Sequence, residues 1–143
     1  MPDVIKLLEQ DHRQVEDLFG KSESTSGAAK QQVVTKIASE LTIHAEVEEQ
    51  IVYPAMRQAG LGDLVDEAEA EHQKVKDLVA KLETMDGSTD DVDPIIQQLK
   101  ADVEHHVQEE ESESFPKFGA AVDQQTLQQL ADQVREMKES QGA

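Results

Sequence analysis

Apolar residues recur along this chain at steps of three and four, in five separate stretches. Such spacing lays them on one face of an α-helix. Val4, Leu8, Val15 and Phe19 mark the first stretch, with Asp3 as its capping residue and Gly20 as its stop, and residues 22–27 read as a small polar loop. The second covers roughly residues 28–58, with the seam Val34, Ile37, Leu41, His44, Glu48, Ile51 and Ala55, before Gly60 and Gly62 mark a turn. The third begins near Asp63 and ends before Asp86, with Leu64, Ala68, His72, Val75, Val79 and Leu82 on its apolar line. An acidic loop leads to Pro94, a favourable first-turn residue, and the fourth stretch follows with Ile96, Leu99, Val103, His106 and Glu110, stopping at Gly119. A fifth, about residues 124–138 with Asp123 as cap, carries Leu127, Leu130, Val134 and Met137. Long amphipathic helices joined by short connections predict an all-α, up-down-up-down four-helix bundle over residues 1–120. Residues 121–143 are expected to form an additional C-terminal helix, packed on the bundle or partly free.

Ionisable residues interrupt four of these apolar lines, and they do so as a repeat. His44 to Pro54 and His106 to Pro116 both read His-x3-Glu-x5-Pro, with an aromatic residue before the proline. Upstream of each copy stands a lone seam histidine, His12 and His72. The spacing from His12 to His72 is 60 residues and from His44 to His106 is 62, so two related helical hairpins are expected. Residues four apart project from one helix face, so His44 acts with Glu48, and His106 with Glu110. All four bundle helices thus deliver a donor to the interior, the way dinuclear sites in bundles are built. Two glutamates in an apolar seam would cost several kcal/mol each unless paired or ligated. A metal-free, hydrogen-bonded His–Glu cluster is the competing explanation.

Imidazole and carboxylate suit iron, manganese, zinc and cobalt alike. Six donors exceed the needs of one tetrahedral zinc and match two ions sharing two bridging carboxylates. Each ion would receive two nitrogens and two carboxylate oxygens, and a solvent-derived bridge leaves one position open for a small molecule. His105 is the alternative to His106, but it lies about 100° around the helix and should face away. Glu46, Glu49, Glu109 and Glu111 read as solvated members of acidic runs, and Lys76 as a surface lysine or a residue at the site entrance. Tyr53 and Phe115 occupy equivalent places in the repeat. Both are expected near a bundle end, with the Tyr53 hydroxyl reaching the metal site if Pro54 bends its helix.

This ordered pattern over residues 3–118 resembles the hemerythrin-like, or HHE cation-binding, domains. The resemblance implies a non-haem di-iron centre, oxo- or hydroxo-bridged, with His12, His44, His72 and His106 as terminal ligands and Glu48 and Glu110 as bridges. The chain departs from the invertebrate oxygen carriers: Lys76 stands where they have a second histidine on the third helix, and Glu110 follows His106 by four in place of their His-x4-Asp. It is similar instead to the bacterial His/His-x3-Glu/His/His-x3-Glu type. That implies reaction with O2, H2O2 or NO, at most with weak catalase-like turnover in which the bridging oxygen or Tyr53 would have to handle protons, more than reversible oxygen carriage. Oxygen or iron sensing, and iron storage or donation, are the alternatives.

Composition narrows the partners. Leu, Ile, Val and Phe make up about 24% of the chain, above the roughly 20% below which disorder is expected. Tryptophan and cysteine are absent, so thiolate and cysteine-ligated cluster chemistry is excluded. A formal charge of −18 disfavours nucleic acid and anionic membrane surfaces. No apolar run approaches the ~20 residues needed to span a bilayer, and Met1 to Lys6 carry no leader-like pattern. A cytoplasmic protein whose partners are a small diatomic or peroxide and an unidentified redox protein is expected.

Overall fold

The structure is a computed structural model that describes residues 2–141. Among these residues all regular structure is helical. The first rod is α1 (Val4–Ser24). The second is α2 (Gly27–Val47), which passes through one π-helical turn (Glu48–Val52) into α3 (Tyr53–Gln58). The third is α4 (Gly62–Glu83). After a short 3-10 turn (Asp90–Val92), the fourth rod is α5 (Asp93–Glu109), which passes through a second π-helical turn (Glu110–Ser114) into α6 (Phe115–Ala121). The last helix is α7 (Gln124–Ser140). Helix α1 packs on α2 and α5, and α4 packs on α2 and α5, which closes the expected up-down-up-down ring.

Capping follows the sequence. Asp3 accepts a hydrogen bond from the Lys6 amide at 3.0 Å, and Asp123 accepts one from the Thr126 amide at 2.8 Å. Each satisfies a first-turn donor that the helix itself leaves free. Gly20 and Gly119 do not stop their helices. Nothing crowds Gly20, and α1 runs on to Ser24, where Thr25 turns extended. The reversal falls instead at Gly27, whose φ of +59° suits glycine.

The two π-helical turns are where the seam departs from a simple helical period. Proline lacks an N–H, and its ring collides with the carbonyl four residues back in an α-helix. Here the Tyr53 amide reaches five residues back to the Glu48 carbonyl, and the Phe115 amide does the same to Glu110. One extra residue per turn loosens the helix just ahead of Pro54 and Pro116, so each rod continues through its proline. The inward face shifts by one position as a result. Val52, Tyr53 and Met56 are buried, whereas the expected Ile51 and Ala55 are only half-buried. On α4, Val65 takes the buried place expected of Leu64.

Two apolar clusters fill the bundle. One, around Phe19, Ile37, Leu82 and Leu99, lies toward the α1–α2 and α4–α5 turns. The other, around Leu8, Val47, Met56 and Phe118, includes Leu127, Leu130, Ala131 and Val134 from α7. Helix α7 therefore lies against α1 and the second rod, with its apolar stripe closing that end of the core. In sequence along each rod, the buried histidines fall between these two clusters: His12 between Leu8 and Val15, His44 after Leu41, His72 between Ala68 and Val75, and His106 after Val103.

Candidate metal centre

His12, His44, Glu48, His72, His106 and Glu110 are all buried, and they meet in this middle layer. Their donor atoms form two groups. His12, His44 and Glu110 make one, and Glu48, His72 and His106 the other, with the donor atoms within each group lying inside 4.8 Å of one another. The carboxylates tie the groups together. Glu48 Oε1 lies 3.1 Å from His44 Nε2 in the first group and 3.1 Å from His72 Nε2 in its own. Glu110 places Oε1 3.3 Å from His12 Nε2 and Oε2 3.3 Å from His106 Nε2. Each carboxylate therefore stands between a histidine of one group and a histidine of the other, as a bridge does.

All four imidazoles point Nε2 inward for the same reason: each Nδ1 is held from behind by a carboxylate. His12 Nδ1 donates to Glu111 at 2.7 Å, His44 Nδ1 to Asp11 at 3.1 Å, His72 Nδ1 to Glu49 at 2.7 Å, and His106 Nδ1 to Glu71 at 2.7 Å. A carboxylate on Nδ1 fixes the ring and the tautomer that leaves the Nε2 lone pair for a cation. The four supports follow the repeat. Asp11 and Glu71 directly precede His12 and His72, while Glu49 and Glu111 directly follow Glu48 and Glu110. Glu49 and Glu111 are thus half-buried supports, not the solvated members of acidic runs that the sequence suggested.

Three of the supports are backed in turn by a permanent cation. Lys138 of α7 donates to both oxygens of Asp11 at 2.5 and 2.6 Å. Arg13 reaches Glu111 at 2.5 Å, and Lys76 reaches Glu49 at 2.7 Å. Lys76 is therefore neither a free surface lysine nor a gate but the tether of the His72 support. The fourth support, Glu71, has no such partner. Its outer oxygen lies 3.2 Å from His105 Nε2, and His105 also sits 3.0 Å from Glu109. Hydrogen bonding with Glu71, and then burial, raise the Glu109 carboxyl above its ordinary value. His105 itself is exposed, as expected, and joins neither interior group.

The aromatic residues obey the same two-fold pattern. Phe115 stacks on His12 with ring centres 6.0 Å apart, and Tyr53 tilts on His72 at 5.3 Å. In a continuous α-helix Tyr53 would lie about 140° around the axis from Glu48. The π-helical turn returns it to the inward face. Its hydroxyl donates to Glu110 Oε2 at 2.7 Å and sits 3.2 Å from His72 Nε2 and 3.4 Å from His106 Nε2. Burial, with Glu48 and Glu110 nearby, pushes the Tyr53 phenol well above its ordinary value and keeps it protonated.

Buried carboxylates and imidazoles perturb one another strongly. Burial opposes the charged form of His44, but Glu48 and Asp11 prevail and push it up to about 10. Burial likewise opposes ionisation of Glu48, yet His44, with hydrogen bonds from its neighbours, holds it well below the carboxylate range. His72 and His106 are raised too: burial opposes, and Glu48 and Glu110 respectively overcome it. The layer thus demands positive charge.

The donors fit metal ions. His12 Nε2, His44 Nε2, Glu48 Oε2 and Glu110 Oε1 are buried without a hydrogen-bond partner. Some lie close enough to a neighbour to ion-pair, but none is aligned for a hydrogen bond. Buried polar atoms are seldom left so in native proteins. His72 Nε2 and His106 Nε2 lie 3.1 Å apart, matching the about 3.0–3.4 Å between two nitrogens that share one ion at about 2.1 Å. Beside the layer lies a narrow cavity of about 40 Å³, lined by the four histidines and by Val15, Leu41, Val75, Val103 and Val107. A far larger open groove of about 570 Å³, along α2, touches none of the six donors.

Comparison with known proteins agrees with this geometry. Residues 3–118 match the family model described as the hemerythrin HHE cation binding domain. A protein named DNA nickase, from Nostoc sp. (strain PCC 7120), is 30% identical over 138 residues, which span 95% of this chain but only 38% of that protein. No solved structure matches the chain significantly.

Proposed function

This chain belongs to the hemerythrin HHE cation binding domain family, and from that premise we propose that it holds two iron ions and binds or reacts with a small oxidant. His12 and His44 would hold one ion and His72 and His106 the other, with Glu48 and Glu110 offering carboxylate oxygens to both. The observation that carries this reading is the position of each carboxylate between a histidine of one group and a histidine of the other. When bound, the iron pair supplies redox equivalents and an open coordination position for O2, H2O2 or NO.

The protein's own residues set the rest. Asp11, Glu49, Glu71 and Glu111 fix the imidazoles, so little reorganisation accompanies a change of ligand. Val15, Leu41, Val75, Val103 and Val107 line the 40 Å³ cavity, which at about 10–15 Å³ per water-sized particle has room for only a few of them. That volume favours a diatomic or peroxide and excludes larger organic substrates. Among the described residues, Tyr53 is the hydroxyl that touches both Glu110 and the His72–His106 pair. It is the proton donor for a bound reagent, and a phenol held well above its ordinary value gives its proton up reluctantly, so peroxide turnover is slow.

The nickase relative does not extend this reading to DNA. The chain spans 38% of that protein, and its charge of −18 repels a phosphate backbone. The deciding experiment is metal analysis with optical spectroscopy after anaerobic ferrous loading. Two irons per chain and a visible spectrum that changes with at least one of O2, H2O2 and NO are expected. Fewer than two irons at saturation, or no spectral response to any of the three, overturns the reading.

A further inference from the structure

The two halves of the repeat differ most in what surrounds the outer side of Asp11 and of its counterpart Glu71. In the first half, Leu7 and Ile43 lie beside this support, and with Val47 and Ile51 they belong to the apolar cluster that α7 covers. Lys138 completes that side with an ammonium on Asp11. In the second half, the same repeat positions are Glu67, His105, Glu109 and Glu113. Four apolar residues are replaced by four metal-type donors. Among the described residues, no lysine or arginine pairs with Glu71 or Glu109, and Lys117 pairs only with the outlying Glu113 at 3.1 Å.

Glu71, His105 and Glu109 place three donor atoms inside 4.8 Å of one another. A crevice of about 10 Å³ is lined by Glu71 and Glu109 of this set, with room for about one water-sized particle. Glu67 and Glu113 line its outer part, and His106 and Glu110 line its inner part. Glu110 is 1% exposed, and its Oε1 has no hydrogen-bond partner. The crevice thus runs from Glu71 and Glu109 at the surface to the interior carboxylate of Glu110, whose Oε1 faces His12, and Glu71 both lines it and holds His106. It holds His106 Nδ1 with Oε1 while its Oε2 faces His105.

We propose that Glu71, His105 and Glu109 form a third, surface cation site that takes up ferrous iron and passes it to the interior pair. Every other imidazole support is closed on its outer side by a fixed cation, and here a mobile one takes that place. A mixed set of one imidazole and two carboxylates, partly exposed, suits a hard or borderline divalent ion held loosely enough to move on. An ion leaving His105 and Glu109 keeps Glu71 as a ligand and meets Glu110 next. The cleft on the opposite flank, lined by Leu7, Gln10 and Ile43 among others, carries the Lys138 ammonium, which repels an approaching cation.

The transfer step rests on the dinuclear reading above, but the surface site does not. Two measurements on the full chain separate them. First, metal-free protein and protein preloaded with iron are each titrated with Mn2+, with free Mn2+ read by electron paramagnetic resonance. One ion beyond the interior pair is expected to bind the preloaded protein, and the double variant His105→Ala/Glu109→Gln loses it. Second, anaerobic uptake of limiting Fe2+ by metal-free protein is followed by stopped flow. The double variant should load at least about fivefold more slowly while reaching the same final iron content. His105 and Glu109 lie at the surface and hold no interior ligand, so the fold should survive, which circular dichroism checks. Absence of a His105-dependent Mn2+ site, or equal loading rates for the two proteins, overturns the proposal. A final content below two irons in the unmodified protein overturns the dinuclear reading instead, and the Mn2+ titration of metal-free protein still reports on the surface site.

Discussion

Lys138 of α7 donates to Asp11 Oδ2 at 2.6 Å, and Asp11 in turn accepts from His44 Nδ1 at 3.1 Å. A helix outside the four-helix ring therefore helps to aim an interior imidazole. Substituting Lys138→Met keeps most of the side-chain volume and removes the ammonium. Loosening a support of this kind typically costs about 10-fold or more in metal affinity. Chelator competition under anaerobic conditions should show a loss of roughly that size, with little change in helix content. Unchanged affinity would mean that Asp11 holds His44 without help.

Tyr53→Phe removes one oxygen and makes the two halves of the layer match. Iron content should stay at two per chain, because the six donors are untouched. The reaction with peroxide should slow by about 100-fold, the low end of what a positioned acid contributes. Rapid-mixing optical spectroscopy measures this, and an unaltered rate would remove Tyr53 from the chemistry.

The protein freed of metal should lose stability as pH rises from neutrality. His44 is raised from an ordinary 6.5 to about 10 in the folded chain. Its contribution is fully present below 6.5 and disappears as pH climbs through about 10. Glu48 is lowered instead, so its contribution holds above 4.5 and is lost as pH falls. Urea midpoints of metal-free protein should therefore peak between these limits and decline toward pH 10. Metal affinity should run the opposite way over the alkaline interval, since cations and protons compete for the same nitrogens. A flat urea midpoint from pH 6.5 to 10 would contradict the charge state assigned to His44.

The π-helical turns yield a deletion test. Gln50 is exposed and lies within the first of them. Deleting it should convert the turn to ordinary α-helix and bring the Pro54 ring against a carbonyl, at about 3 kcal/mol. Adding Pro54→Ala should recover most of that loss, because the clash goes with the ring. Chemical denaturation of the three proteins checks it, and a deletion as stable as the parent would show that proline does not set the turn.

The six interior donors were legible in the sequence because each occupies a seam position that ordinary helices fill with leucine or valine. The bundle was legible for the same reason. Asp11, Glu49, Glu71 and Glu111 were not, since acidic residues beside a seam position look like any solvated helix face in sequence, whether the fold buries them or half-buries them. The signal was there in their adjacency: each abuts a donor, on the same side in both halves. The inward register beyond Glu48 was hidden because a π-helical turn adds one residue without changing composition. Only the paired prolines six residues past Glu48 and Glu110 hinted at it. Lys138 was beyond reach, as its partner lies 127 residues away.

Phe115 and Tyr53 stand in matched places, each against a histidine of a different pair. A lone oxygen atom separates them. A reagent lying across the proposed ion pair would meet a hydrocarbon wall at one end and a proton at the other, so its two atoms would cease to be interchangeable. The repeat builds a symmetric cradle, and that hydroxyl gives it a head and a tail.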